Sequence, residues 1–155
     1  KIAKALAKEF DVDSDDLINM EEDFDDISQF EDYDVLFLGS STWGKGEVHF
    51  SWVDPILELE EEKPDLSGKI VAFFGAGDCK KHGEHFCSAL GKLHKTFTGL
   101  GAKAVGFIPK EDYEYEFSLA EIDRKLCGLG IDEHNEKGKT KARISNWIEV
   151  LKEEL

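Results

Sequence analysis

Val35-Leu36-Phe37-Leu38 has no polar interruption, stops at Gly39 and passes into Ser40-Ser41-Thr42-Trp43-Gly44-Lys45-Gly46. A strand that is apolar at every position is covered on both faces, as inside a parallel sheet, whereas a strand with one wet face alternates. In open parallel sheets ligands sit at the carboxyl ends of the strands. The loop over residues 40–46, small and hydroxylic around one large aromatic, is therefore where function is expected. Lys69-Ile70-Val71-Ala72-Phe73-Phe74 is a second run of the same kind and also ends in small residues, Gly75-Ala76-Gly77-Asp78. Residues 102–108 read as a third strand, closed by Pro109.

Helical periodicity fills the intervals. Ile2, Leu6 and Phe10 recur every four residues; Trp52, Ile56 and Leu59 mark a helix over residues 50–62 that Pro64 and Ser67-Gly68 end. Phe86, Ala89, Leu90, Leu93 and Phe97 give a helix over residues 86–97, and Ile144, Trp147, Ile148, Leu151 and Leu155 one over 140–155. Residues 16–20 read as a short edge strand and residues 21–32 as a helical or loop approach to the first apolar run. A Tyr-rich stretch, residues 112–117, leads to residues 126–131 as an excursion before the chain resumes. Strands alternating with helices imply right-handed βαβ crossovers, hence an α/β fold: a doubly wound three-layer α/β/α sandwich with a parallel sheet. At 155 residues and 41% hydrophobic, the chain has the size for one domain with one core.

Charge narrows the function. Against 19 basic residues stand 34 acidic ones, a net charge of −15, which disfavours binding to nucleic-acid phosphates and suits docking to a basic protein partner; the competing reading is a surface that only keeps the protein soluble. Cys79, Cys87 and Cys127 form no paired framework, as in the reducing cytoplasm. No apolar stretch approaches the roughly 20 residues that span a bilayer. Gly75-x-Gly77 lacks the third glycine of a dinucleotide fingerprint, and no Gly-Lys-Ser/Thr phosphate loop occurs, so dehydrogenase and NTPase readings lose their support. Cys79-x-x-His82-x-x-His85-x-Cys87 gathers four donors that zinc accepts, yet structural zinc sites join two ligand pairs across a longer span, so no metal is expected.

Taken together, Ser41-Thr42-Trp43-Gly44-Lys45-Gly46-Glu47, Phe73-Phe74-Gly75-Ala76-Gly77-Asp78 and Phe86-Cys87 resemble the flavodoxin family over essentially the whole chain. Asp112-Tyr113-Glu114-Tyr115, followed by Gly128-Leu129-Gly130-Ile131-Asp132-Glu133-His134-Asn135, resembles its long-chain branch, in which a loop interrupts the last strand. The resemblance implies strand order 2-1-3-4-5, noncovalently bound FMN, and low-potential one-electron transfer between a reductase and an acceptor with basic docking surfaces. It implies a carrier rather than an enzyme, and a monomer unless a second chain completes the sheet. Carried over by position, Trp43 would stack on the inner face of the flavin and Thr42 would contact the ribityl phosphate region. The backbone of Gly44 and Lys45 would face the N5 edge, with the Gly44 peptide as a redox-linked hinge. Ala76, Gly77 and Asp78 would meet the pyrimidine edge through their backbone. His82 falls where an outer stacking Tyr is usual and would make the potential pH-sensitive; His85 and Cys87 fall where amide side chains are usual.

Plainer readings stand beside these. Trp43 reads alternatively as a half-buried loop aromatic, His82 as a surface histidine, Tyr113 and Tyr115 as packing of the inserted loop, and Trp52 and Trp147 as core. The family's first strand and phosphate loop precede the helix to which residues 1–10 correspond. The expectation is therefore a chain whose N-terminal segment is not shown; the alternatives are a sheet completed by another chain's strand, or an FMN-free interaction module. An FMN-dependent NAD(P)H quinone reductase-like enzyme is the remaining reading.

Overall fold

The computed structural model describes residues 2–43, 46–78 and 85–155. Its main sheet is built on β4 (Ile70–Ala76). On one side β4 pairs in parallel with β1 (Val35–Gly39), in a register running from Val35↔Ile70 to Gly39↔Phe74. On the other side two short strands lie end to end: β5 (Lys103–Val105) pairs with Ile70 to Ala72, and β9 (Gly128–Ile131) with Phe73 to Ala76. The third predicted strand, residues 102–108, is thus cut short at Val105. The cause is tertiary. Gly106 turns to φ +80, its carbonyl accepts from Trp147 Nε1–H (2.7 Å) and its N–H donates to Glu154 (3.0 Å), so both backbone groups leave the ladder. The excursion over residues 106–127 carries a small antiparallel sheet of β6 (Ile108–Pro109), β7 (Glu121–Ile122) and β8 (Lys125–Leu126), with β8 in the middle.

Helices cover both faces. Leu6 of α1 (Ile2–Glu9) and Ile144, Trp147, Ile148 and Leu151 of α4 (Thr140–Glu154) pack with Ala72, Val105 and Leu129. Ile56 and Leu59 of α2 (Val53–Glu62) and Leu90, Leu93 and Phe97 of α3 (Ser88–Gly99) pack with Val71, Phe73 and Leu38 on the opposite face. Successive residues of β4 serve opposite cores, as the two-residue period of a strand requires, and the three-layer sandwich follows. α2 ends at Lys63 in the left-handed conformation, φ +47, one residue before Pro64. α3 begins at Ser88 rather than at Phe86, because Cys87 takes φ +51 and cannot continue a helix backwards.

The edge strand expected over residues 16–20 is not formed. Ser14–Asp16 make a 3₁₀ turn, and Asn19 and Asp23 close the chain locally through Asn19 N–H to Asp23 and Glu21 N–H to Asn19. No described strand pairs with this segment, so it has no ladder to join. The described sheet thus runs β1-β4-β5, with β9 also on β4, all in parallel. Among the described residues β1 pairs with β4 alone, and along its other edge runs an apolar slot of about 660 Å³ walled by Leu6, Phe10, Ile18, Phe24 and Phe30.

Candidate functional site

Two loops leave the carboxyl ends of β1 and β4. After β1 the chain folds into a hairpin of β2 (Thr42–Trp43) and β3 (Glu47–Val48), paired Thr42↔Val48 and Trp43↔Glu47. Buried Ser40 fixes its base: Ser40 Oγ accepts from His49 N–H (2.9 Å) and donates to the Ser41 carbonyl (2.8 Å). Trp43 is 58% exposed. Its indole N–H donates to Ser41 Oγ (2.6 Å), and its ring meets His49 at 5.9 Å and 65°. A large aromatic face is thus held in a set plane yet left open, which in a soluble protein marks a binding surface more often than a core. Thr42 Oγ1 accepts from Ala89 N–H (3.1 Å), which ties the hairpin to the first turn of α3 and satisfies one of its open donors.

The second loop starts at Ala76, which is exposed at the end of β4. Gly77 N–H donates to the Ile131 carbonyl (2.9 Å), and Asp78 accepts from Asn135 Nδ2 (2.6 Å). The two loops begin side by side: Ser40 N–H donates to the Phe74 carbonyl (3.1 Å), and a Cβ on Gly75 would stand 2.1 Å from the Ser40 carbonyl oxygen. Only a glycine allows that approach. A cavity of about 490 Å³ opens at the strand ends, walled by Ser40, Ser41, His49 and Ala76 and by Ile2 and Ala3 of the first turn of α1.

Beneath the loops, Cys87 is buried with its sulfur against the backbone of Gly77 and Gly130, so the thiol supports the second loop from inside. Phe86 lies between Tyr113 (5.7 Å) and Tyr115 (5.6 Å, nearly parallel). Tyr113 donates to the Gly130 carbonyl (2.9 Å) and carries the Arg143 guanidinium over its ring at 4.1 Å; burial raises its phenol above the ordinary value, with Arg143 opposing. Burial also acts to raise Glu136, but hydrogen bonds from Lys139 (2.7 Å) and Arg143 (2.9 Å) hold its carboxyl below the usual range. These ties pin the inserted stretch and the start of α4 against β9. His85 sits beside Gly46.

Of the ten residues read from the sequence, Thr42 and Trp43 lie on the first loop, Ala76, Gly77 and Asp78 on the second, His85 beside Gly46, and Cys87 beneath the second loop. Gly44, Lys45 and His82 lie outside the described residues, as does Cys79 of the candidate zinc quartet. Ser41, His49, Asp132 and Asn135 also belong to these loops and their supports; Asp132 and Asn135 fall within the motif at residues 128–135, but nothing in the spacing of Asn135 marks a partner 57 positions away.

A flavin is a planar heteroaromatic with one edge of carbonyl and N–H groups. The open indole face of Trp43 on the first loop and the exposed strand-end backbone at Ala76 on the second, on loops that leave the sheet side by side at Ser40 and Gly75, match those two needs, so the residues present fit the flavin ring.

The family model for flavodoxin matches residues 1–147. The chain is 51% identical over 154 residues to flavodoxin 1 of Azotobacter vinelandii, covering 99% of this chain and 88% of that protein. It is 41% identical over 127 residues to flavodoxin 1 of Escherichia coli, covering 81% of this chain and 70% of that protein. Among solved structures, the flavodoxin of Fusobacterium nucleatum bound to flavin mononucleotide superposes with a TM-score of 0.83 at 29% identity, covering 99% of this chain and 89% of that one. Family model, relatives and strand-end geometry agree, and the chain belongs to the flavodoxin family.

Proposed function

We propose that the chain is a low-potential one-electron carrier that binds FMN without a covalent bond, serving redox protein partners rather than turning over a substrate. The observation that carries this reading is the open indole of Trp43, on a loop that leaves the sheet beside the one starting at Ala76, in a chain of this family. Bound FMN supplies a ring system that takes up and gives back electrons one at a time. Ser41, by accepting the indole N–H, keeps the Trp43 face in the plane on which the ring stacks. Gly77 has already spent its N–H on Ile131, so it meets the pyrimidine edge through its carbonyl. The negative field of a chain with charge −15 opposes added negative charge on the ring and so lowers its potential. Residues 106–127, set between two strands that share one edge of β4, support the long-chain assignment.

A docking face adjoins the site. Phe50 (65% exposed), in the turn that leads into α2, and Val53 and Leu57 of α2 are exposed apolar residues at helical spacing, and Asp54, Glu58 and Glu61 lie near them in the sequence. His49 links this stripe to the flavin side, 4.3 Å from the Phe50 ring and 5.9 Å from Trp43. An apolar stripe with a carboxylate rim suits a partner whose own apolar contact is ringed by Lys and Arg. Two copies of so acidic a chain repel, which favours a monomer. Burial pushes the Cys127 thiol up to about 12, so it stays protonated and unreactive.

Trp43→Ala is the test. Loss of one stacking face is worth about 2 kcal/mol, roughly a thirtyfold weaker FMN dissociation constant, with Trp43→Phe in between, read from quenching of flavin fluorescence. A wild-type chain that does not quench the flavin, or a Trp43→Ala chain that binds it equally well, would overturn the assignment.

A further inference from the structure

Asn135 stands in the turn between β9 and α4, and both hydrogens of its amide nitrogen are spent on carboxylates. Nδ2 donates to Asp78 Oδ1 at 2.6 Å and to Asp132 Oδ2 at 2.9 Å. Asp132 is 1% exposed, and its other oxygen accepts the N–H groups of His134 (3.1 Å) and Asn135 itself (2.9 Å). Asp132 is thereby a fixed anchor, and Asn135 carries its fixity across to Asp78. One residue earlier, Gly77 N–H donates to the Ile131 carbonyl. The loop is thus held at two successive residues by one short segment, residues 131–135. A carboxylate accepts but does not donate, so without the amide Asp78 and Asp132 would present like charges to each other.

From this geometry we propose that Asn135 is a positioning residue for the flavin-facing loop: it touches no flavin, but sets where residues 76–78 stand and so how well their backbone meets the pyrimidine edge. The proposal rests on the FMN reading given above and names a residue that acts on the same site through Asp78. Donor chemistry is what the role needs. Asn135→Asp keeps the shape and replaces the donor by a third acceptor, while Asn135→Ala removes the bridge.

Two readouts on the full chain test it. In the absence of FMN, amide hydrogen exchange at Gly77 is expected to rise about tenfold or more in Asn135→Asp, with the amides of α4 and β1 at wild-type rates. FMN titration is expected to show a dissociation constant about tenfold higher in both variants. In an Asp78→Ala background, Asn135→Ala should add nothing further to that constant. Wild-type exchange at Gly77 in Asn135→Asp, a rise spread evenly over α4 and β1, or full additivity of the two alanine substitutions would overturn the proposal. A wild-type chain that fails to bind FMN would instead remove the flavin reading, and the exchange arm would still decide whether Asn135 positions the loop.

Discussion

Trp52→Ala is expected to destabilise the protein by about 4 kcal/mol, the usual range for emptying a buried Trp site. Trp52 is 2% exposed, lies parallel to Phe30 at 5.9 Å and meets Phe97 edge-on at 6.2 Å. Its indole N–H donates to the Gly39 carbonyl (2.9 Å), the last residue of β1. The side chain therefore does two separable things: it fills the core between the sheet and the α2 and α3 layer, and it fixes the point from which the Trp43 hairpin departs. Trp52→Phe keeps most of the packing and loses the hydrogen bond, so its cost should be about 1 kcal/mol, while FMN affinity should fall more than that small loss suggests. Urea unfolding of the two variants separates the roles; an alanine variant as stable as wild type would contradict the packing described.

Gly75→Ala is the second large effect. The added Cβ would stand 2.1 Å from the Ser40 carbonyl oxygen and 3.1 Å from Leu90 Cδ2. The first of these is backbone and cannot rotate away. Nor can β4 slide, because Gly75 is in register with Gly130 on one side, and Phe74 accepts from Ser40 N–H on the other. The strands must part where the two strand-end loops begin. About 3 kcal/mol of stability and at least roughly tenfold in FMN affinity should be lost together. Gly138→Ala is the matched control: nothing lies within 4 Å of its Cβ position, so its effect should stay within about 0.5 kcal/mol. Thermal melts of both variants with and without FMN decide the matter, and equal midpoints would contradict the close approach.

How much of this was legible in the sequence depends on the range of the force involved. β1 and β4 could be read from their unbroken apolar runs, since burial on both faces leaves that mark residue by residue. The helices could be read from their period, but the start of α3 could not: Cys87 adopts a left-handed conformation that nothing in its own chemistry announces. The third strand ends at Val105 because Trp147 and Glu154, some 40 residues on, take both backbone groups of Gly106. Residues 16–20 have the apolar content of an edge strand, yet a strand exists only where another pairs with it. In the site, Trp43 and residues 76–78 stood out because large aromatics and small residues at strand ends are locally unusual. Ser41 and Asn135 did not, because a hydroxyl beneath an indole or an amide between two carboxylates is defined only by the folded partners.

The central claim is that FMN lies between the Trp43 hairpin and residues 76–78. A heteronuclear NMR titration of the isotope-labelled chain with FMN tests it most directly. The expected result is a saturable shift of the Trp43 indole N–H and of the Gly77 and Asp78 amides, with the Trp147 indole unmoved in its core. Shifts confined to other surfaces, or none at millimolar FMN, would contradict the claim.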